Sequence, residues 1–418
     1  MKVLLVGATG FVGRHLLKAL SSAGHQIIAT SRTRQSLHLP GLEWRQLDLD
    51  VLATVPDHFT FPDSIDLLIN AAGVLSVDEQ QLSLTQDIGS RALFDLAKTA
   101  GVRVLHISAL GAGAQSDVHF LASKAAADDY LIALGIPAVV LRPSLVVGPG
   151  GASSGWLARM SALPVIPVLD RKALLQPLHI DDLVNAVLSL MRCWPKTPMV
   201  LPVVGPEVMT LAQLIDQLRE SQGWPTAWFI HIPDALAQSG ASLGDRFGWR
   251  ALNGQSLRMA RRDNMADPEV LESVCGYRCA SLRDRLQEWP DAAQSAQLAL
   301  RPLMLAALVL IWLGTAFVSV WPGFEWGLGI LAEAGLNGPF AQIAVVAGAF
   351  CDGLLGLGML IRPWRRRVFQ AQLCLMAAYT LIISFVLPHY WFDPYASVAK
   401  NLVLMVATLW LLRTEPRR

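Results

Sequence analysis

The sequence predicts an α/β domain built on a doubly wound parallel sheet with a small second lobe, followed by an all-α domain of four transmembrane helices. Three observations predict it. Short apolar runs alternate with amphipathic stretches through the first 150 residues, a glycine-spaced turn joins the first run to the first stretch, and four long apolar segments fill residues 302–412. The apolar excess is uneven. Of 418 residues 53% are hydrophobic and 16% charged, but residues 1–300 hold 25 of the 34 Lys and Arg and 28 of the 33 Asp and Glu. A charged domain therefore precedes a membrane domain, with predicted boundaries at 1–150, 151–298 and 299–418. The net charge of +1, with no basic stripe in the first 300 residues, excludes nucleic acid as a partner. Cys193, Cys275, Cys279, Cys351 and Cys374 are odd in number and lack metal-ligand spacing, so they read as packed thiols of a reducing compartment and no metal site is expected.

Taken in order, residues 3–6 are a short buried-strand pattern, too short for the apolar core of a signal peptide, so the amino terminus is expected to be a strand. Gly7-Ala8-Thr9-Gly10-Phe11-Val12-Gly13 and the amphipathic stretch 14–23 follow. Gly7, Gly10 and Gly13 allow a tight turn, close approach of a pyrophosphate and close helix packing. Thr9, Gly10, Phe11 and Val12 would then bring a helix amino terminus to the phosphates. The second strand, 26–30, runs into Ser31-Arg32-Thr33-Arg34 where an NAD site would place an acidic residue for the ribose. Ser31, Arg32 and Arg34 suit a 2′-phosphate, so NADP(H) is the expected cofactor, with a solvated basic turn as the alternative. Asp48 and Leu49, after the strand 43–47, are expected to meet the adenine. Ala71, Ala72 and Gly73, after the strand 66–70, leave room for a backbone to lie along the cofactor.

These residues resemble the Rossmann-type short-chain dehydrogenase/reductases in their extended and atypical branches. Val104-Leu105-His106-Ile107-Ser108 looks like the strand whose terminal serine polarises a substrate carbonyl, and Lys124 sits in the expected helix. Leu141-Arg142-Pro143-Ser144, with Val147-Gly148-Pro149, resembles the segment lining the nicotinamide, which implies roles for Pro143 and Ser144. Gln176-Pro177-Leu178-His179-Ile180-Asp181-Asp182 resembles the junction that opens the substrate-side helices. The resemblance covers about residues 1–290. It implies Ser108 and Lys124 as catalytic residues, but the family's Tyr-x-x-x-Lys reads Phe120-Leu-Ala-Ser-Lys124 here. Phenylalanine has no proton to give, and loss of a general acid typically costs 10²–10⁴-fold in rate. Lys124 still suits the nicotinamide ribose. Tyr130 and His119 are rotated away from its helix face. The sequence around His106–Ala112 looks most like the accessory subunit of respiratory complex I, and the loss also resembles the NmrA-like regulators.

Residues 151–290 form the lobe, with Pro164, Pro167, Pro195, Pro198 and Pro202 read as loop punctuation. Thr210 to Gln213 reads as a capping box. Trp224, Trp228, Phe229, Phe247 and Trp249 read as core, with an apolar ligand pocket or the bilayer surface as alternatives. Arg258, Arg261 and Arg262 read as a solvated helix face, with an anionic head group as the alternative.

Residues 302–321, 339–361, 368–388 and 395–412 are the four predicted spans. Arg301, the group Arg362, Arg365, Arg366 and Arg367, and the group Arg413, Arg417 and Arg418 flank one set of ends, while the loops 323–338 and 389–394 carry no Lys or Arg. Both termini are therefore expected in the cytoplasm, in the plasma (bacterial inner) membrane. Asp352 lies ten residues from Arg362 and Lys400 thirteen from Arg413, about 15 and 20 Å at 1.5 Å per residue. An ion pair between them is expected, with a proton or quinone site including Asn401 and His389 as the alternative. Small residues at Ala344, Gly348, Ala349 and Gly353 would let helices approach. Cys351-Asp352-Gly353 and Asp393-Pro394 before Lys400-Asn401 look like the DoxX-like membrane family, which implies a membrane redox complex or lipid-soluble partner. The expectation is an NADP(H)-dependent oxidoreductase acting on a small apolar or membrane-soluble substrate, in contact with membrane lipid. A non-catalytic NADPH-binding sensor or assembly factor is the alternative.

Overall fold

In the computed structural model, alternate residues of the inner sheet strands enter opposite apolar cores, which is why these strands read as continuous apolar runs. Val3, Leu5, Ile27, Ala29, Leu67, Ile69, Leu105, Val139 and Leu141 face one core. Leu4, Val6, Ile28, Leu68, Val104 and Val140 face the other. The structure describes residues 1–415 other than 75, 77, 116, 169–172, 248–252, 288 and 395. Trp249, Tyr395, Arg417 and Arg418 thus lie outside the described residues. The chain divides into two compact units, Met1–Ser295 and Ala296–Arg418.

The first unit holds seven parallel strands: β1 (Lys2–Val6), β2 (Gln26–Ser31), β3 (Leu42–Gln46), β4 (Leu67–Asn70), β5 (Arg103–Ile107), β6 (Ala138–Pro143) and β7 (Met199–Val203). Their order across the sheet is β7-β6-β5-β4-β1-β2-β3. Val3 pairs with Ile27 on one side and Leu67 on the other, so the order reverses at β1, where a crevice opens beyond the carboxyl ends of the strands. Helices α1 (Phe11–Ser22) and α4 (Ile180–Arg192) cover one face. Helices α2 (Gly89–Thr99) and α3 (His119–Ala133) cover the other. Two prolines read as loop punctuation lie in strands instead. Pro202 is in β7 opposite Arg142, at the sheet edge, where a missing N–H is tolerated. Pro167 lies in a two-stranded ribbon, Val165–Val168 paired in parallel with Trp228–His231.

The lobe packs the helices Ala152–Ser161 and Leu211–Ser221 around Leu157, Ile166, Leu214, Ile215 and Leu218. The capping box forms: Gln213 N–H donates to Thr210 Oγ1 at 3.3 Å and Thr210 N–H to Gln213 Oε1 at 2.7 Å. The core reading of the aromatics holds for Phe229, which packs on this cluster. It fails for Trp224, Trp228 and Phe247, which are exposed. Strand alternation is the reason at Trp228, which faces out where its neighbour faces in. Arg261 and Arg262 are paired, with Asp234 at 2.7 Å and Asp117 at 2.6 Å.

Among the described residues three helices are long and apolar enough to cross a membrane: α5 (Ala292–Val320), which begins in the first unit, α6 (Pro339–Gly358) and α7 (Arg365–Val386). The fourth, α8 (Ala399–Thr414), has 16 residues, about 24 Å at 1.5 Å per residue and short of a ~30 Å hydrocarbon core. A ten-residue helix, Phe324–Glu333, occupies a connection in which the sequence predicted no element. Gly353, one of the expected small residues, lies at ordinary contact distance, while Gly356 marks the tighter approach. A Cβ on Gly353 would stand 3.7 Å from Ala316 Cβ, and one on Gly356 would press to 2.7 Å from Leu313. The expected Asp352–Lys400 pair does not form: neither residue has an ion-pair partner among the described residues. Lys400 falls in the first turn of α8 and is exposed, while Asn401, about 100° round the helix, faces α7 and donates to Thr380 Oγ1 at 3.3 Å. Arg301 pairs with Glu415, and His389 lies 3.5 Å from Glu333. Among the described residues no hydrogen bond or ion pair joins Asp352, Lys400, Asn401 and His389 to one another.

Leu68 is fully buried on β4. Leu68→Ala should lower stability by about 2–5 kcal/mol, through lost transfer energy and the cavity left behind. Leu37→Ala, at an exposed site, should stay within about 0.5 kcal/mol. Thermal melting of the two variants in detergent reads the difference.

Candidate functional site

The crevice edge is built first from glycine. Gly7 sits at φ +79°, where an L side chain is strained, and a Cβ there would lie 2.7 Å from Ala72 N. A Cβ on Gly13 would run into the Gly7 carbonyl oxygen. The turn therefore packs directly on the Ala71–Gly73 backbone and on α1. Gly10 N–H donates to Gly7 O at 2.9 Å, and α1 begins with no side-chain cap and no acidic residue in its first turn. The amides of Phe11, Val12 and Gly13 thus keep their anion-binding capacity, and Thr9 is exposed beside them. Asn70 fixes the facing segment: its Oδ1 accepts from Ala72 N–H at 3.1 Å, and its Nδ2 donates to Ser90 Oγ at 3.2 Å.

Beyond β2, Ser31 is buried and donates to Thr33 O at 2.8 Å, which shapes the turn. Arg32 and Arg34 are exposed on that turn, and neither has an ion-pair partner among the described residues. Asp48 caps the short helix Leu49–Leu52, accepting from Asp50 N–H at 3.1 Å. Leu49 is buried, and its carbonyl leaves no room for a side chain at Gly89. Pro143 ends β6, with its carbonyl accepting from Leu110 N–H at 2.8 Å. Ser144 is buried and donates to Gln176 O, while its N–H donates to Val203 O at 3.0 Å.

Helix α3 brings Lys124 to the end of β5, where its Nζ donates to Ile107 O at 2.9 Å and lies 3.6 Å from the Cβ position of Gly73. Burial pushes this ammonium down to about 8, partly offset by Asp128. Phe120 stands one turn earlier, half-buried, and its N–H donates to Gln255 of the lobe at 3.1 Å. Tyr130 donates to Asp95 at 2.8 Å and His119 pairs with Glu79 at 2.7 Å, so neither points toward Lys124.

A buried network lies behind Lys124 that the sequence reading missed. Asp128 is fully buried and accepts from Ser108 Oγ at 2.8 Å and Arg142 Nε at 2.9 Å, with His106 Nε2 at 3.6 Å. Burial raises the Asp128 carboxyl, against the two donors, and drives His106 well below its usual value. Ser108 thus spends its one proton inside the network and is itself buried. The available signal was the spacing: Asp128 follows Lys124 by one helical turn. Also unforeseen is a clasp over α1, in which Arg14 donates to Gly150 O at 2.8 Å and His15 lies 3.1 Å from Pro149 O.

A model described as the NAD dependent epimerase/dehydratase family matches residues 3–196, and one described as a DoxX-like family matches residues 309–409. A ceramide reductase of Caulobacter vibrioides is 31% identical over 232 residues, covering 53% of this chain and 67% of the relative. The mitochondrial NADH dehydrogenase [ubiquinone] 1 alpha subcomplex subunit 9 of Dictyostelium discoideum is 29% identical over 229 residues, covering 51% of this chain and 61% of that one. Among solved structures, MoeE5 in complex with UDP-glucuronic acid and NAD has a TM-score of 0.53 at 18% identity, covering 71% of this chain and 99% of its own. That likeness is one of fold.

Lys124 yields a pH dependence of stability. Its value of about 8 in the folded chain lies below the ordinary 10.5, so between those two pH values the unfolded chain holds more protons. Stability should therefore rise with pH across that window. Lys124→Met should remove the rise, which melting temperatures of both proteins between pH 8 and 10.5 will show.

Proposed function

We propose that this chain, which belongs to the NAD-dependent epimerase/dehydratase family and carries a DoxX-like domain behind it, is a membrane-anchored NADP(H)-dependent oxidoreductase. Its substrate would be the carbonyl of an apolar, membrane-soluble molecule, of lipid, isoprenoid or quinone class. The observation that carries the reading is the buried Lys124 ammonium at the crevice edge, beside Gly73. In this reading residues 1–150 hold the cofactor and 151–298 complete the substrate side. The glycine turn and the first amides of α1 receive the pyrophosphate, Ser31, Arg32 and Arg34 the 2′-phosphate, and Asp48 and Leu49 the adenine. Ala71, Ala72 and Gly73 give the cofactor a flat backbone to lie along, and Pro143 and Ser144 border the nicotinamide. When bound, the cofactor supplies the hydride. Lys124 holds the nicotinamide ribose, and with its proton held only to about 8 it is the group suited to protonate the product oxygen near neutral pH. Ser108 positions this end of β5 through Asp128. The relative named a ceramide reductase supports a lipid carbonyl within the apolar class.

The membrane unit fits four alternating spans with both termini in the cytoplasm, in a plasma (inner) membrane. The Arg301–Glu415 pair supports one level for the head of the apolar segment of α5 and the end of α8, and the His389–Glu333 contact supports a common level for the two opposite connections. The arginine-rich connection between α6 and α7 then lies inside.

Phe120 favours a second reading, an NADPH-binding sensor or assembly factor docked to a membrane redox complex. The Dictyostelium relative, named as a subunit of NADH dehydrogenase, fits that reading. Two measurements separate the readings. NADPH should bind the full-length protein in detergent, and the double change Arg32→Ala with Arg34→Ala should weaken it at least about tenfold, as expected for lost charge-assisted bonds, while leaving NADH unaffected. No binding of either nucleotide would defeat both readings. NADPH oxidation should then appear with a lipid extract, decline above about pH 8 as Lys124 loses its proton, and rise by up to about 10²-fold in Phe120→Tyr as a general acid is restored. Intact binding with no oxidation in any extract leaves the sensor.

A further inference from the structure

The lobe carries an outward apolar surface that no role above uses. In the parallel ribbon, Ile166 and Val168 face the lobe and are buried. The opposite face presents Val165, Pro167, Trp228 and Ile230, with Val165 paired to Trp228 and Pro167 to Ile230, so these four side chains share one side. All four are exposed, Trp228 at 79% and Ile230 at 56%. Parallel strands with apolar residues on both faces are ordinarily covered on both.

The helix that follows, Asp234–Phe247, is inverted relative to a helix of a water-soluble surface. Its small residues Ala237, Ala241 and Gly244 are buried, while Leu236 and Leu243 are 65% and 51% exposed. At 100° per residue Leu236 and Leu243 fall within about 20° of each other, and Gln238, Ser242 and Asp245 form a separate outward stripe on the far side of the buried one. Only Ile232 and Pro233 separate this helix from the ribbon. A soluble surface puts large aliphatics inward and small or polar residues outward. Here the large ones point out, as on a helix lying in a membrane interface.

We propose that the outward face of the ribbon, Val165, Pro167, Trp228 and Ile230, and the outward stripe of the adjoining helix, Leu236 and Leu243, lie in the interfacial layer of a lipid bilayer, as a second and monotopic membrane contact. Two features select lipid as the occupant. The first unit is tethered: it ends at Ser295 within α5, whose apolar segment begins just after Arg301 with Pro302 in the helix interior. The lobe of every copy is thereby joined covalently to a helix long and apolar enough to cross a membrane. Trp228, the most exposed side chain of the set, is the residue type that prefers the headgroup level, with an apolar ring and one N–H. Burial of this surface in lipid would let a membrane-soluble molecule reach the lobe without crossing water, but the contact itself is independent of any chemistry at Lys124.

The test places an environment-sensitive fluorophore on single cysteines in the full-length protein. Leu236→Cys and Leu243→Cys report the apolar stripe, and Gln238→Cys and Ser242→Cys report the polar one. The background is Cys193→Ser, Cys351→Ser and Cys374→Ser, since Cys275 and Cys279 are buried. The proteins are reconstituted in phosphatidylethanolamine/phosphatidylglycerol vesicles doped with doxyl-labelled phosphatidylcholine. Quenching severalfold stronger at 236 and 243 than at 238 and 242 is the expected result. Equal quenching at all four positions overturns the proposal. Weak quenching at 236 and 243 with efficient bismaleimide crosslinking between copies at 236 also overturns it, and makes the face an interface between two chains. Neither result depends on nucleotide binding or turnover, so the contact and the enzymatic reading fail separately.

Discussion

The rest of the first unit depends on a parallel sheet buried on both faces. With Leu4 and Leu5, or Leu68 and Ile69, entering opposite cores, neither face can carry polar chemistry, and functional groups are left the strand ends. The reversal of strand order at β1 opens one crevice among those ends. The Gly7 turn, the Ala71–Gly73 backbone and Lys124 meet there because β1, β4 and β5 are neighbours in the sheet, although the sequence separates Gly7 from Lys124 by more than a hundred residues. The glycines matter at this point because turn and strand end touch without side chains between them.

Burial also sets the electrostatics of that edge. Lys124 and Asp128 are ionisable groups inside a domain, and each is answered by specific partners: a carbonyl for the ammonium, and a hydroxyl and a guanidinium for the carboxylate. Removing water weakens the charged form of each, which lowers the lysine and raises the aspartic acid. Burial is thus what shifts the lysine toward neutral pH, and Asp128 of the network partly offsets it. In the membrane unit charges are managed by position instead. Arg301, at the head of the apolar segment of α5, pairs with Glu415 just beyond α8, and Lys400 sits in a first turn.

The lobe departs from the rule that governs the sheet. Its ribbon is apolar on both faces but packed on one, and the adjoining helix turns its larger aliphatics away from the protein. In a domain tethered beside lipid the usual criterion of a soluble surface no longer applies. The same residues that would signal aggregation in a free protein become the means of a second attachment.

The sequence by itself determined the strand and helix succession of the first 150 residues, the glycine turn, the capping box at Thr210 and the apolar segments. Each is written in local periodicity or in a backbone requirement that only a few residue types meet. Lys124 and the absence of a hydroxyl at Phe120 were legible through the resemblance to the short-chain dehydrogenase/reductase Tyr-x-x-x-Lys pattern. Tertiary structure alone decided the rest. Met199–Val203 became an edge strand despite Pro202, because an edge tolerates a missing donor. Ser108 donates its hydrogen bond to Asp128, a partner twenty residues away that only the packing of α3 on β5 brings near. Trp228 faced outward, and Lys400 missed Asp352 because α8 begins at Ala399 and turns Asn401 inward. Each of these depends on which way a residue points within the assembled fold, and periodicity carries that information only where a single face is buried.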